Sequence, residues 1–313
     1  MVSRRSCLLA GALSSPILAA YAQAERRHRV LTALPAIHAL TVALCTGTAI
    51  DVVRLPSEEA IPMEGQANAL SRLGAQAFGD AEAVVALSRL WRADPLFPTA
   101  RRHNLRIIDI DASYSWNAGK PGLAVMRVPQ NSGFGLDPGD TELGLSPYAW
   151  LSPINAMRMA AIVSDDLARL SPSDTGRIKR NLAALEARIR RLKADYGARV
   201  AKLPDPRLVS LAGEFVYLFE DFGIFVDGWF VKQDIDRSDA DCTAFTTYLR
   251  ERGVRVVAHK WMPNDSILSA AKDGGARLLV LDAGNPGLLA DEHHEYVDLV
   301  RFNLDALLSA FEK

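Results

Sequence analysis

An α/β fold built on parallel strands is predicted for this chain of 313 residues, and three observations predict it. Short runs rich in β-branched and aliphatic residues alternate with helical stretches in both halves of the chain. One helical run, from about Asp174 to Lys202, is much longer than the rest and strongly amphipathic. The length suffices for two α/β lobes of ordinary size, each with its own core.

The elements follow in order. Val30 to Leu34, Asp51 to Leu55, Ala83 to Leu87 and Arg106 to Ile110 read as strands of a first lobe, with a helix over Ala67 to Phe78 between the second and third. Ser113 to Ser146 then collects Gly, Pro, Asn and Asp with little periodicity; a loop of that length is expected to have a functional or lid-like role. Asn155 to Leu170 reads as a helix. After Ser171-Pro172-Ser173 the long helix carries its apolar stripe on Ile178, Leu182, Leu185, Ile189 and Leu192, and Pro204 and Pro206 end it. The second lobe repeats the pattern with strands at Leu208 to Leu211, Phe225 to Val231, Val254 to Ala258 and Arg277 to Leu281.

Composition narrows the function. Apolar residues make up 49% and charged residues 23%, which argues against disorder, and a formal charge of -1 argues against a phosphate-tracking surface, so nucleic acid is not an expected partner. At the N-terminus Ser3-Arg4-Arg5, the apolar Cys7 to Ala20 and the small residues Ala22-Gln23-Ala24 read as an export signal over residues 1–24, cleaved after Ala24. The paired arginines fit either a Sec or a twin-arginine signal. No other apolar stretch is long enough to span a bilayer, so stable membrane insertion is not expected. Cys45 and Cys242 remain after cleavage and are expected to be free. Walker A, Cys-x-x-Cys and Gly-x-Ser-x-Gly patterns are missing, and no nucleophile and base stand out as a pair, so an enzyme is not expected.

Ligands in open α/β sheets bind outside the carboxyl ends of the strands. In the second lobe Glu214, His259 and Asp282 stand at or just past strand ends, and neighbouring strands about 5 Å apart would let two of them share one ion.

Three landmarks carry a family resemblance: Tyr148-Ala149-Trp150-Leu151-Ser152-Pro153-Ile154-Asn155-Ala156 before a helix, Ala212-Gly213-Glu214-Phe215-Val216-Tyr217-Leu218-Phe219 with Phe222-Gly223-Ile224 behind it, and Arg277 to Leu281 ending in Asp282. In order, spacing and flanks they resemble the periplasmic metal-binding proteins of zinc, manganese and iron ABC importers, the ZnuA/TroA-like family. The resemblance runs from about Arg29 to the closing helix at Tyr296 to Phe311. It implies two lobes with parallel sheets, residues 25–172 and 204–313, joined by a rigid helix over residues 173–203 that limits closure to a small rocking motion.

The same resemblance implies a ligand set, from which this chain departs. The histidine of the first Pro-rich loop is replaced in Pro62-Met63-Glu64-Gly65-Gln66, where Gln66 falls near the ligand position and Glu64 beside it. The histidine before Trp-Leu-Ser-Pro becomes Tyr148; the ligand opening the next helix becomes Ala212, with Glu214 two residues on. His259 stands where a glutamate is usual, and Asp282 is unchanged. The family's histidine-rich loop is absent from Ser113 to Ser146. Each candidate has a plainer reading: Asp282 as a loop cap, Tyr148 as a packed aromatic with a bonded hydroxyl, Glu214 as a helix-start acid, Gln66 as a weak neutral donor, and His259 as a satisfied core histidine. His38 and His293-His294 read as packing and as a solvated helix start.

The expected function is capture of a transition metal ion, zinc, manganese or iron, between the lobes of a monomeric periplasmic protein and its delivery to an ABC permease in the inner membrane. Mostly oxygen donors suit manganese or iron better than a closed zinc site. The alternative is a binding protein of the same fold that has lost free-metal binding and carries a metal chelate or small organic solute, with Trp150, Trp229 and Trp261 available to line its cleft.

Overall fold

The computed structural model describes residues 27–57, 60–132 and 144–312. The expected export signal and the middle of the Ser113 to Ser146 loop lie outside the described residues.

The first lobe is a four-stranded sheet of β1 (His28–Thr32), β2 (Ile50–Arg54), β3 (Ala83–Ala86) and β4 (Ile108–Asp111) in the order β2-β1-β3-β4, every pair parallel. The second repeats that order with β5 (Arg207–Ser210), β6 (Phe225–Trp229), β7 (Val256–His259) and β8 (Arg277–Val280), as β6-β5-β7-β8. Both sheets therefore have a central strand whose two neighbours are reached in opposite directions, which opens a crevice between β1 and β3 and another between β5 and β7. Each predicted strand overlaps an observed one, with ends displaced by up to two residues.

The helices of the first lobe are α1 (Pro35–Cys45), α2 (Met63–Ser71) and α3 (Leu96–His103). The helix expected over Ala67 to Phe78 begins earlier, with Pro62 as N-cap, and stops at Ser71 ahead of Gly74; a short 3-10 turn over Ala75–Ala77 follows. This shift moves Glu64 into the first turn of α2, on the rim of the space between the lobes.

The connecting unit is α4 (Pro153–Leu170) and α5 (Thr175–Val200). Ser152 caps α4 by accepting from the Asn155 N–H. The 26 residues of α5 span about 39 Å, and their buried stripe of Ile178, Leu185, Ile189, Leu192 and Tyr196 packs on α1, α4 and α9 (Tyr296–Phe311). In the second lobe α6 (Val216–Phe222) and α7 (Asp239–Arg252) both end on left-handed glycines, Gly223 and Gly253, and α8 (Asp265–Asp273) leads into β8.

One buried apolar cluster passes through both lobes, from Val30 and Leu40 through Trp150 and Ile189 to Leu208, Val256 and Leu304. Polar bonds cross the same seam. Trp150 Nε1 donates to the Ala283 carbonyl at 2.9 Å, Tyr296 donates to the Trp150 carbonyl at 2.8 Å, and Arg54 donates to the carbonyls of Leu289 and Ala290. A close-packed core is thus shared by the two lobes. Among the described residues no helix is long and apolar enough to cross a membrane, and Cys45 and Cys242 are free.

Candidate functional site

A cavity of about 890 Å³ lies between the lobes. Its walls bring together Glu64 and Tyr148 from one side with Glu214, His259 and Asp282 from the other. Gln66 does not join them: it is buried beneath α2, and its amide nitrogen donates to the carbonyls of Ala33 and Ile61. Of the three tryptophans considered, Trp261 lines the cavity; Trp150 is buried in the seam and Trp229 packs on Phe219.

The wall of the first lobe is simple. Asn285, from the loop after β8, reaches across and donates its amide to the Tyr148 hydroxyl at 3.0 Å and toward Glu64 at 3.4 Å, while its carbonyl accepts from the Met63 N–H at 2.8 Å. The Tyr148 phenol is pushed above its ordinary range by burial, and the Glu214 and Glu64 carboxylates push it further. It therefore keeps its proton and faces the cavity as an O–H rather than as a phenolate. Ser146 also lines the cavity, and its buried hydroxyl has no partner among the described residues.

The wall of the second lobe is a connected network. The Lys260 N–H donates to His259 Nδ1 at 2.9 Å, which leaves the ring proton on Nε2, 3.2 Å from Asp234 Oδ1. Both nitrogens of His259 are thus engaged. Burial lowers its pKa, against the opposing pull of Asp234, so the ring is neutral near pH 7. Asp234 also accepts from Trp261 Nε1 at 2.9 Å. The Lys260 ammonium donates to Glu214 Oε1 and lies 4.3 Å from the centre of the Trp261 ring. Asp282 is engaged as well: one carboxylate oxygen accepts from the Gly284 N–H at 2.7 Å and the other from the Leu288 N–H at 2.5 Å. A side chain at Gly287 would collide with that carboxylate, since a Cβ there would lie 1.8 Å from Asp282 Oδ1.

The loop-cap reading of Asp282 and the satisfied-histidine reading of His259 therefore both describe real bonds. Among the described residues no three His, Cys, Asp or Glu side chains converge in metal-ligand geometry. The cavity offers carboxylate oxygens, a phenol hydroxyl, a serine hydroxyl, two lysines, of which Lys232 is paired with Asp241, and one half-exposed indole. Sequence reasoning missed Asp234, Lys260, Asn285 and Ser146. The strand-end rule that selects His259 reaches Lys260 one residue later, and Asn285 stands in the loop after Asp282. Nothing local to Asp234 marks it.

The model of the periplasmic zinc-uptake complex component A family, ZnuA, matches residues 66–310. The high-affinity zinc uptake system protein ZnuA of Bacillus subtilis (strain 168) is 24% identical over 170 residues, 52% of each chain. The chain thus spans about half the length of that curated relative. Among solved structures, a mutant of FpvC from Pseudomonas aeruginosa superposes with a TM-score of 0.69 at 21% identity, covering 91% of this chain and 99% of that one. The metal-dependent lipoprotein YcdH from Bacillus subtilis gives 0.68 at 20% identity, with 91% and 99% covered. At such identities these two likenesses concern the fold.

Proposed function

Since this chain belongs to the ZnuA family of periplasmic zinc-uptake components, we propose that it is the extracytoplasmic binding protein of an ABC importer, capturing a transition metal ion and delivering it to a permease in the inner membrane. The observation that carries this reading is the meeting of Glu64 and Tyr148 from one lobe with Glu214 and Asp282 from the other around one cavity. Acidic oxygens on both walls attract a cation, and a hard oxygen-rich set favours manganese or iron over a closed zinc site. Capture draws the walls together by a small rocking on the α5 spine, and the closed form presents the permease-docking surface. No covalent chemistry is needed, and a monomer suffices.

Specific observations favour a second reading, in which the cargo is a metal chelate or small organic solute. Both His259 nitrogens are engaged, Lys260 already pairs with Glu214, and about 890 Å³ is room for a small organic molecule.

The experiment is to purify the exported protein from its own compartment without chelator or affinity tag and to measure metal per chain by mass spectrometry. Near one equivalent of a single metal is the expected result and names the cargo. A metal-free protein whose melting temperature is unmoved by zinc, manganese or iron moves the assignment to the second reading.

A further inference from the structure

Glu214 and Lys260 face each other across the crevice between β5 and β7. The two strands pair directly, with Ser210 opposite Ala258, so the residues just beyond their ends are brought to one place in the cleft. Lys260 is held there by several bonds. Its own N–H is fixed on His259, His259 is fixed on Asp234, and Asp234 in turn holds the Trp261 indole whose face lies under the ammonium. The side chain reaches from this frame to Glu214, 46 residues earlier in the chain. Relative exposures of 27% and 13% for the two side chains leave the pair less screened than a surface ion pair.

The other charges of the cleft are arranged differently. Asp282 is fixed by backbone N–H groups, and Asp234 is fixed by His259 and Trp261 with Arg237 at 3.6 Å. Arg237 is tied by its guanidinium to the carbonyls of Phe230 and Lys232 and has 1% of its side chain exposed, so it does not move easily. Lys260 is the contrast: a compact charge on a flexible four-carbon stem shared between Glu214 and the indole face, whereas Lys232, the other lysine lining the cleft, is paired with Asp241 at 2.7 Å.

We propose that Lys260 competes with the cargo for Glu214, so that a metal ion binds by breaking the Lys260–Glu214 pair and leaving the ammonium on the Trp261 face alone, and Lys260 sets the affinity. His259, Asp234 and Trp261 act as positioning residues for that lysine. The proposal rests on the metal-cargo reading above and deepens it: a tethered positive charge already occupies one of the cleft's carboxylates, which makes the site weak for a bare ion and quick to release it.

The test titrates manganese(II), iron(II) and zinc(II) salts alone into purified wild type, K260M, K260Q, E214Q and the E214Q/K260M double variant. Unfolding in chelator checks each fold. The expected result is at least tenfold tighter metal binding by K260M and K260Q than by wild type, with the gain absent when Glu214 is already Gln. K260Q keeps a donor for Glu214 without the charge, so it answers the question if the methionine variant does not fold. Wild type that binds a metal, with K260M and K260Q no tighter or weaker, overturns the role of Lys260 and leaves the metal reading standing. A tighter K260M whose gain survives in E214Q overturns the competition for Glu214. No metal binding by any folded variant overturns both the role and the reading.

Discussion

The two lobes share one strand order and place opposite chemistry at the crevice that this order opens. Past the ends of β1 and β3 the first lobe carries Ala33, Leu34 and Leu87, all buried, and the histidine of that region, His38, turns into the core, where Nδ1 meets the Thr32 hydroxyl at 2.9 Å. Past the ends of β5 and β7 the second lobe carries Glu214, Lys260 and Trp261, open to the cleft, with His259 behind them. The first lobe supplies its share of the cleft from elsewhere, through Glu64 after β2 and Tyr148 before α4. Topology thus fixes where a crevice exists, while the polarity of a few loop residues decides whether it becomes core or site. A second contrast follows from the bonds. On the second wall the acids are tied down by their own lobe, whereas Glu64 on the first wall is exposed and touched by one long amide contact.

The largest expected effect is the pH dependence carried by His38. Burial lowers the His38 pKa from 6.5 to about 4, with Arg54 adding to the depression and Glu292 opposing it. The unfolded chain takes up the proton first, so the His38 contribution to stability is intact above pH 6.5 and falls away as the pH drops toward 4. A buried shift of this size is worth about 3 kcal/mol. Urea unfolding of wild type and H38Q across that range checks it: wild type should lose more stability by roughly this amount. Asp109, whose pKa burial raises to about 6, acts with the opposite sign and cancels between the two proteins. An equal slope in both proteins removes the core assignment of His38.

Asp282 comes next. Its carboxylate holds the Gly284 and Leu288 N–H groups, so D282A should destabilise the metal-free protein by about 2 kcal/mol, measured by unfolding in chelator. An unchanged metal-free stability would mean that Asp282 serves only its cargo.

Glu64 gives the smallest effect and the sharpest contrast. E64Q should leave metal-free stability within about 0.5 kcal/mol, because the side chain is exposed and makes no short bond. In the proposed function it should nevertheless weaken metal binding. A cost in stability like that of D282A would erase the difference between the two walls.

The sequence alone determined the architecture. Alternation of short apolar runs with helical stretches located all eight strands to within two residues, and the stripe from Ile178 to Leu192 located the long spine, because burial of one face imposes a local period that survives in the order of residues. The strand-end rule selected Glu214, His259 and Asp282 and the family resemblance selected Glu64 and Tyr148, and all five line one cavity. Tertiary structure decided what those side chains do. Whether His259 offers a lone pair depends on Asp234, 25 residues away, whether Glu214 offers a carboxylate depends on Lys260, and whether Gln66 faces the cleft depends on carbonyls at Ala33 and Ile61. Hydrogen-bond and ion-pair partners are chosen by proximity in space, and no period in the chain records them.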